Sequence, residues 1–105
     1  MSSATPARAT SFREFYPYYL SEHANRVSRR LHFTGTSLSL LFVLLAIAAS
    51  QPWLLLVALL QAYALAWIGH FFFEHNRPAT FRHPLWSFAG DWRMWWDVLR
   101  GRVAL

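Results

Sequence analysis

Five histidines stand in this chain of 105 residues, which has no cysteine, so any metal it holds must be bound by His, Asp or Glu. His23 and His32 lie before and at the start of a long uncharged stretch, and His70 and His75 lie at its end. Imidazole is the commonest neutral metal ligand, and ionisable groups at a membrane boundary are costly enough to be read first as functional. Glu74 follows His70 by one helical turn and shares its face. A His and a carboxylate one turn apart, with another His facing them, could form a two-His, one-carboxylate iron site with open positions for oxygen and substrate. An all-His site is equally compatible. Around these ligands, Arg77 could grip a substrate carboxylate in bidentate fashion, or serve as a topology charge or an i+3 partner of Glu74. Asn25 and Asn76 could orient ligands through hydrogen bonds, or cap and turn the chain.

The elements that must position these groups follow from composition. Hydrophobic residues make up 55% of the chain and charged residues 14%, against about 25% charged in a soluble domain. No Asp, Glu, Lys or Arg occurs between Leu31 and Phe73. Residues 31–49 would form a helix of roughly 28 Å and residues 53–73 one of roughly 31 Å, each matching a bilayer core. Ser50-Gln51-Pro52 separates them, with the proline placed to open the second helix. The reading is an all-α integral membrane hairpin of two transmembrane helices, with amphipathic juxtamembrane helices at both ends. Residues 1–11, rich in Ser, Ala and Thr, are expected to be a disordered tip, and residues 12–105 a single membrane domain.

An antiparallel hairpin returns its exit to the side of its start, so His32 and His70 should lie at similar depth on neighbouring helices. Their faces agree with this. His32 shares its side with Gly35, Thr36, Ser39 and Ala46, while His70 and Glu74 extend the ridge Ala58, Ala62, Ala66. His23 is nine residues before His32, so on one unbroken helix the two would point apart and stand roughly 13 Å apart. They can share an ion only if the chain bends, and Ser28-Arg29-Arg30 is the expected place. His75 joins only if the helix ends first, as Asn76-Arg77-Pro78 predicts it does. His83 reads as a loop residue.

Before the hairpin, Tyr16, Tyr19, Leu20, His23 and Val27 fall on one face of an amphipathic helix over Phe12 to Arg30. After it, Asp91 is expected to cap a last helix whose Trp92, Trp95, Trp96 and Leu99 form an interfacial anchor. Ten arginines flank the hairpin and none lies in its turn, which predicts cytoplasmic termini. The basic complement is all arginine, which points to a GC-rich bacterial genome and hence the inner membrane. The net charge of +5 is assigned to topology and anionic lipid, with no nucleic-acid partner.

The runs Tyr19-Leu20-Ser21-Glu22-His23-Ala24-Asn25, Leu31-His32-Phe33-Thr34-Gly35-Thr36 and Gly69-His70-Phe71-Phe72-Phe73-Glu74-His75-Asn76-Arg77-Pro78-Ala79-Thr80 resemble those of the 2-hydroxy-fatty-acid dioxygenase family of phytosphingosine breakdown. These are small membrane proteins formerly catalogued as a domain of unknown function. The resemblance extends from about Phe12 to Arg100. It implies an Fe(II)-dependent dioxygenase that uses O2 to shorten 2-hydroxy fatty acids by one carbon. Under it, His23, His32 and His70 match the motif histidines, and Asn25 and Glu74 the neighbouring polar positions. Ala24 stands where the enzyme-like pattern tends to have a further histidine, and the fungal enzyme is longer.

The mechanism these readings favour has iron on His32 and His70, completed by His23 or Glu74, with the acyl tail beside Phe71 and Phe72. A single hairpin has little lateral surface to enclose such a tail, which favours a homodimer. Two other classes fit the residues: a haem carrier with two axial histidines, and a non-catalytic hairpin that scaffolds partners or lipid.

Overall fold

The apolar stretch folds as two long helices because nothing in it interrupts i to i+4 hydrogen bonding except Ser50-Gln51-Pro52. The computed structural model describes residues 10–105. In these residues α1 spans Phe12–Ser21, α2 Arg26–Ala48, α3 Trp53–Ile68 and α4 Pro84–Leu99. A π-helical turn over Gly69–Glu74 extends α3, and a short 3-10 turn covers Ala79–Phe81. The described residues form no strand, so the architecture is all-α. Arg26–Ala48 and Trp53–Glu74 are each long and apolar enough to cross a membrane.

The hairpin closes where expected. Ser50 takes a left-handed conformation (φ 51°), and the carbonyls of Gln51 and Pro52 accept from Leu54 and Leu55 to start α3. The two helices meet closely at Gly35, where an added Cβ would lie 3.2 Å from the Ala62 Cα. Gln61 reinforces the crossing by donating to the Gly35 carbonyl at 2.8 Å. Small residues let the backbones approach, as the Gly35 and Ala62 faces imply.

The flanking helices differ from the expected pattern in two ways. First, the chain breaks at Glu22–Asn25 rather than at Ser28-Arg29-Arg30. Asn25 is an N-cap: its side-chain oxygen accepts from the backbone N–H groups of Val27 and Ser28, which starts a new helix ahead of the expected bend. Val27 therefore belongs to α2, where it is exposed, and the buried face of α1 is Phe15 and Tyr19. Second, Asp91 caps nothing. The last helix begins seven residues earlier with Pro84 in its first turn, a position that suits proline because its missing N–H has no helical partner there.

The buried face of α4 is Ser87, Gly90, Met94 and Asp97, and the tryptophan stripe lies off it. Within that stripe Trp96 is exposed, while the Trp95 indole donates to Ser37 Oγ on α2 at 2.9 Å. Small and polar side chains win that face because α1 docks on it. A Cβ at Gly90 would fall 2.8 Å from the Tyr19 ring. Beside it Tyr16 donates to Asp97 at 2.7 Å, and Arg93 and Arg100 pair with the same carboxylate. At the N-terminus, Ser11 accepts from the Glu14 N–H while Glu14 accepts from Thr10, a reciprocal cap. Thr10 and Ser11 are thus part of the helix start, and the rest of the expected disordered tip lies outside the described residues.

Candidate metal centre

Three imidazoles converge because three separate elements end at the same place. His23 sits in the bend after α1, His32 one and a half turns into α2, and His70 in the π-turn. All three are buried, with 1%, 4% and 2% of their surface exposed. His23 Nε2 lies 2.9 Å from His32 Nε2. One nitrogen from each ring falls within 4.8 Å of the others.

The other ring nitrogen of each histidine settles what those converging atoms are. His23 Nδ1 lies 2.6 Å from the Tyr19 carbonyl, His32 Nδ1 3.0 Å from the Ser28 carbonyl, and His70 Nδ1 2.6 Å from Asn76 Oδ1. Asn76 also donates through its amide nitrogen, which identifies its oxygen as the acceptor. Each Nδ1 therefore donates, and in a neutral imidazole each Nε2 is then a lone pair. Burial, and then the neighbouring rings of His32 and His70, hold His23 well below its ordinary pKa, so it is neutral at pH 7. Lone pairs gathered this closely repel unless a cation lies among them. Metal–imidazole bonds run about 2.1 Å, so two nitrogens on one ion stand at most about 4.2 Å apart; the His23–His32 pair at 2.9 Å meets that limit, and separations of up to 4.8 Å exceed it by no more than about 0.6 Å. The donor set fits a metal, and orienting Nδ1 contacts of this kind are what metal-bound histidines make. Imidazole alone suits iron, zinc, copper and nickel alike.

The bend that delivers His23 exposes backbone groups, and three of them find side-chain partners. The Asn25 N–H donates to Glu74 Oε2 at 2.9 Å, the Glu22 carbonyl accepts from Asn76 at 3.2 Å, and Arg29 donates to the His23 carbonyl at 3.1 Å and to the Ala104 carbonyl. The π-turn supplies two of these contacts. It ends with His75 in a left-handed conformation (φ 57°) and the Asn76 N–H on the His70 carbonyl, which swings Asn76 back towards His70. Gly69 lets this turn press on α2, since a Cβ there would lie 2.7 Å from Ser28 Oγ and 3.1 Å from Ser28 Cα.

The expected site residues are thereby divided. His23, His32 and His70 come together. Asn76 touches a histidine directly, and Asn25 caps α2 beside the bend. Glu74 stands outside the imidazole cluster, occupied with the Asn25 N–H. The helix does end before His75, yet His75 is exposed and outside the cluster. Arg77 is exposed, with its guanidinium 5.3 Å from the Phe81 ring centre. His83 stacks on Trp86 and meets Phe15.

Three contributors escape the sequence reading: Arg29, Gly69 and the pair Tyr19–Asp91. The Tyr19 ring stacks under His23 at 4.1 Å, and its hydroxyl donates to Asp91. Enclosure pushes the Asp91 carboxyl up to about 7. The one available signal was Tyr19 at four residues before His23, on the same helical face.

The rings of the three histidines meet at steep angles with centroids 4.2, 4.6 and 4.9 Å apart. That leaves no flat slot between two imidazoles for a porphyrin, which the haem reading requires. A family model described as 2-hydroxy-palmitic acid dioxygenase Mpo1-like matches residues 9–103. No curated protein and no solved structure was found to match the chain.

Proposed function

The chain belongs to the Mpo1-like family, and from that premise we propose that it is a membrane-bound, Fe(II)-dependent dioxygenase that shortens 2-hydroxy fatty acids by one carbon. The observation that carries the reading is the closed set of three buried imidazoles whose Nδ1 atoms are all tied to oxygen acceptors. A tri-histidine face leaves further positions for O2 and substrate. Bound Fe(II) supplies the redox chemistry that lets O2 react with an otherwise inert carbon centre.

The protein's own residues do the positioning. The Tyr19 and Ser28 carbonyls and Asn76 hold the three rings in one tautomer, and the dry surroundings of His23 keep it unprotonated. Asn25 and Glu74 hold the bend, so both act through His23 rather than on the ion. Arg77, exposed just beyond the π-turn, is the cation assigned to the carboxylate of an arriving acid. Release of the carboxyl carbon as CO2 while the hydroxyl-bearing carbon becomes a carboxylic acid is balanced by one O2, with one water formed.

The α2–α3 hairpin is assigned to the bilayer with both termini in the cytoplasm, from the arginines that flank it and the uncharged turn. In a bacterium this is the inner membrane. The histidines then lie at headgroup depth, which suits a substrate with a polar head and an apolar tail, and a homodimer would increase the surface available to that tail.

Anaerobic Fe(II) reconstitution followed by oxygen consumption with 2-hydroxypalmitate tests metal, reaction and substrate together. One O2 consumed per hydroxy acid lost is expected. Stoichiometric iron without oxygen uptake would reject the reaction. Failure to retain any transition metal would leave a scaffold hairpin.

A further inference from the structure

One helical turn beyond His32 a cleft of about 190 Å³ opens between α2, α3 and α4, with none of the three histidines in its lining. Its lining is graded. Thr36 and Asp91 stand at one end, while Val43, Leu55 and Leu59 stand along the rest. The polar end adjoins the metal centre by two routes. Thr36 is one turn beyond His32 on the same face, and Asp91 is joined through the Tyr19 hydroxyl to the ring that stacks on His23. Thr36 and Ala58 are buried, whereas Leu55, Leu59 and Phe88 are about half exposed. The cleft thus has a floor of small residues and a rim of large apolar ones. From Thr36 to Val43 the helix rises about 10 Å, away from the histidines and towards the turn.

We propose that this cleft is the acyl-chain subsite, which rests on the substrate reading above. The hydrocarbon next to the reacting carbons lies over Thr36 and Ala58, and the remainder of the chain passes the Leu59–Phe88 rim into the bilayer. Phe71 and Phe72, where the residue pattern places the tail, are exposed and do not line the cleft. A chain lying there would contact one helix and lipid. In the cleft it is held by three helices, with its head directed to the histidine end. The rim also offers sideways access, so an amphiphile can slide in from the leaflet without leaving it.

Two measurements test this on the full-length, Fe(II)-loaded protein in nanodiscs. In the first, a 2-hydroxy acid carrying a mid-chain diazirine is photolysed and the adducts are mapped by mass spectrometry. Adducts at Val43, Leu55, Leu59 or Phe88 that excess 2-hydroxypalmitate suppresses and phosphatidylcholine does not are expected. Adducts confined to Phe71 and Phe72, or suppressed equally by the phospholipid, would overturn the proposal. Specific cleft labelling with no turnover of any hydroxy acid would uphold the subsite and reject the reaction.

In the second measurement, Val43→Trp narrows the far end of the cleft. Its kcat/KM for 2-hydroxypalmitate should fall by at least about tenfold, while that for 2-hydroxyoctanoate, whose tail stops short of Val43, stays near wild type. An equal loss for both chains, in protein that keeps its iron, or no loss for either, would count against the subsite. If the variant does not fold, the labelling of the wild-type chain decides.

Discussion

The two ends of the helical hairpin are built on different principles. At the histidine end Ser28, His32, Gly35, Thr36, Gly69 and His70 are all buried, and each imidazole Nδ1 has an oxygen partner. At the turn end, between Leu40 and Leu60, only Ala46 and Ala58 are buried, while Leu44, Ile47, Trp53 and Leu56 are exposed. One end is held by hydrogen bonds and close backbone contacts, which have one good geometry. Outside the cleft, the other presents interchangeable aliphatic surface, which lipid solvates as well as protein does. Substitutions should therefore have sharply different effects along a single pair of helices.

The largest effect is expected from His23→Ala, His32→Ala and His70→Ala. Each removes a proposed iron ligand, and oxygen consumption should fall by more than about 100-fold, beyond what loss of an orienting partner costs. Metal analysis should show iron lost while circular dichroism retains the helices. Wild-type iron content in all three would dissolve the contrast between the ends.

Next in size is Asn76→Ala, which frees the His70 ring and the Glu22 carbonyl together. A drop of roughly 10- to 100-fold in Fe(II) affinity is expected by competitive titration. Unchanged affinity would mean that the π-turn orients His70 without its side-chain partner.

Asp91→Asn probes how dry the histidine end is. Enclosure raises the Asp91 carboxyl to about 7, so the folded protein holds this proton more tightly than the unfolded chain does. The stability it contributes is fully present below about 4 and is lost as pH rises through about 7. Asparagine keeps an oxygen for the Tyr19 hydroxyl and does not ionise. The variant's thermal midpoint should exceed wild type above pH 7, with the two curves converging towards pH 4. Parallel curves would show a carboxylate already well solvated.

The smallest effect belongs to Leu56→Ala at the turn end. Stability within about 0.5 kcal/mol of wild type and unaltered iron binding are expected. A loss comparable with that of Asn76→Ala would make the two ends equivalent after all.

Much of the hairpin was legible before any coordinates. The uncharged run, its length and Ser50-Gln51-Pro52 report two helices and a turn, since hydropathy and helical rise are properties of consecutive residues. The meeting of His32 and His70 followed from antiparallel return and from the small-residue faces beside them. The bend falls ahead of Ser28-Arg29-Arg30 because the short side chain of Asn25 caps the next helix, one of the two roles its type allows. Asp91 is a capping residue by type, but Pro84 starts the helix seven residues before it. The face of α4 that α1 covers is marked by Gly90 rather than by hydrophobicity, so no apolar period reveals it.

Local pattern thus determined the number of helices, the two long apolar ones with the turn between them, and the two histidines on facing ridges, because each depends on neighbours within a few turns. The convergence of His23 on the other two imidazoles, the pairing of Glu74 with the Asn25 N–H, the tautomers and the position of Asp91 were decided only when α1 and the π-turn closed on the mouth of the hairpin. Those choices depend on which donor meets which acceptor between residues as distant as Asn25 and Glu74, and such pairings leave no period in a sequence.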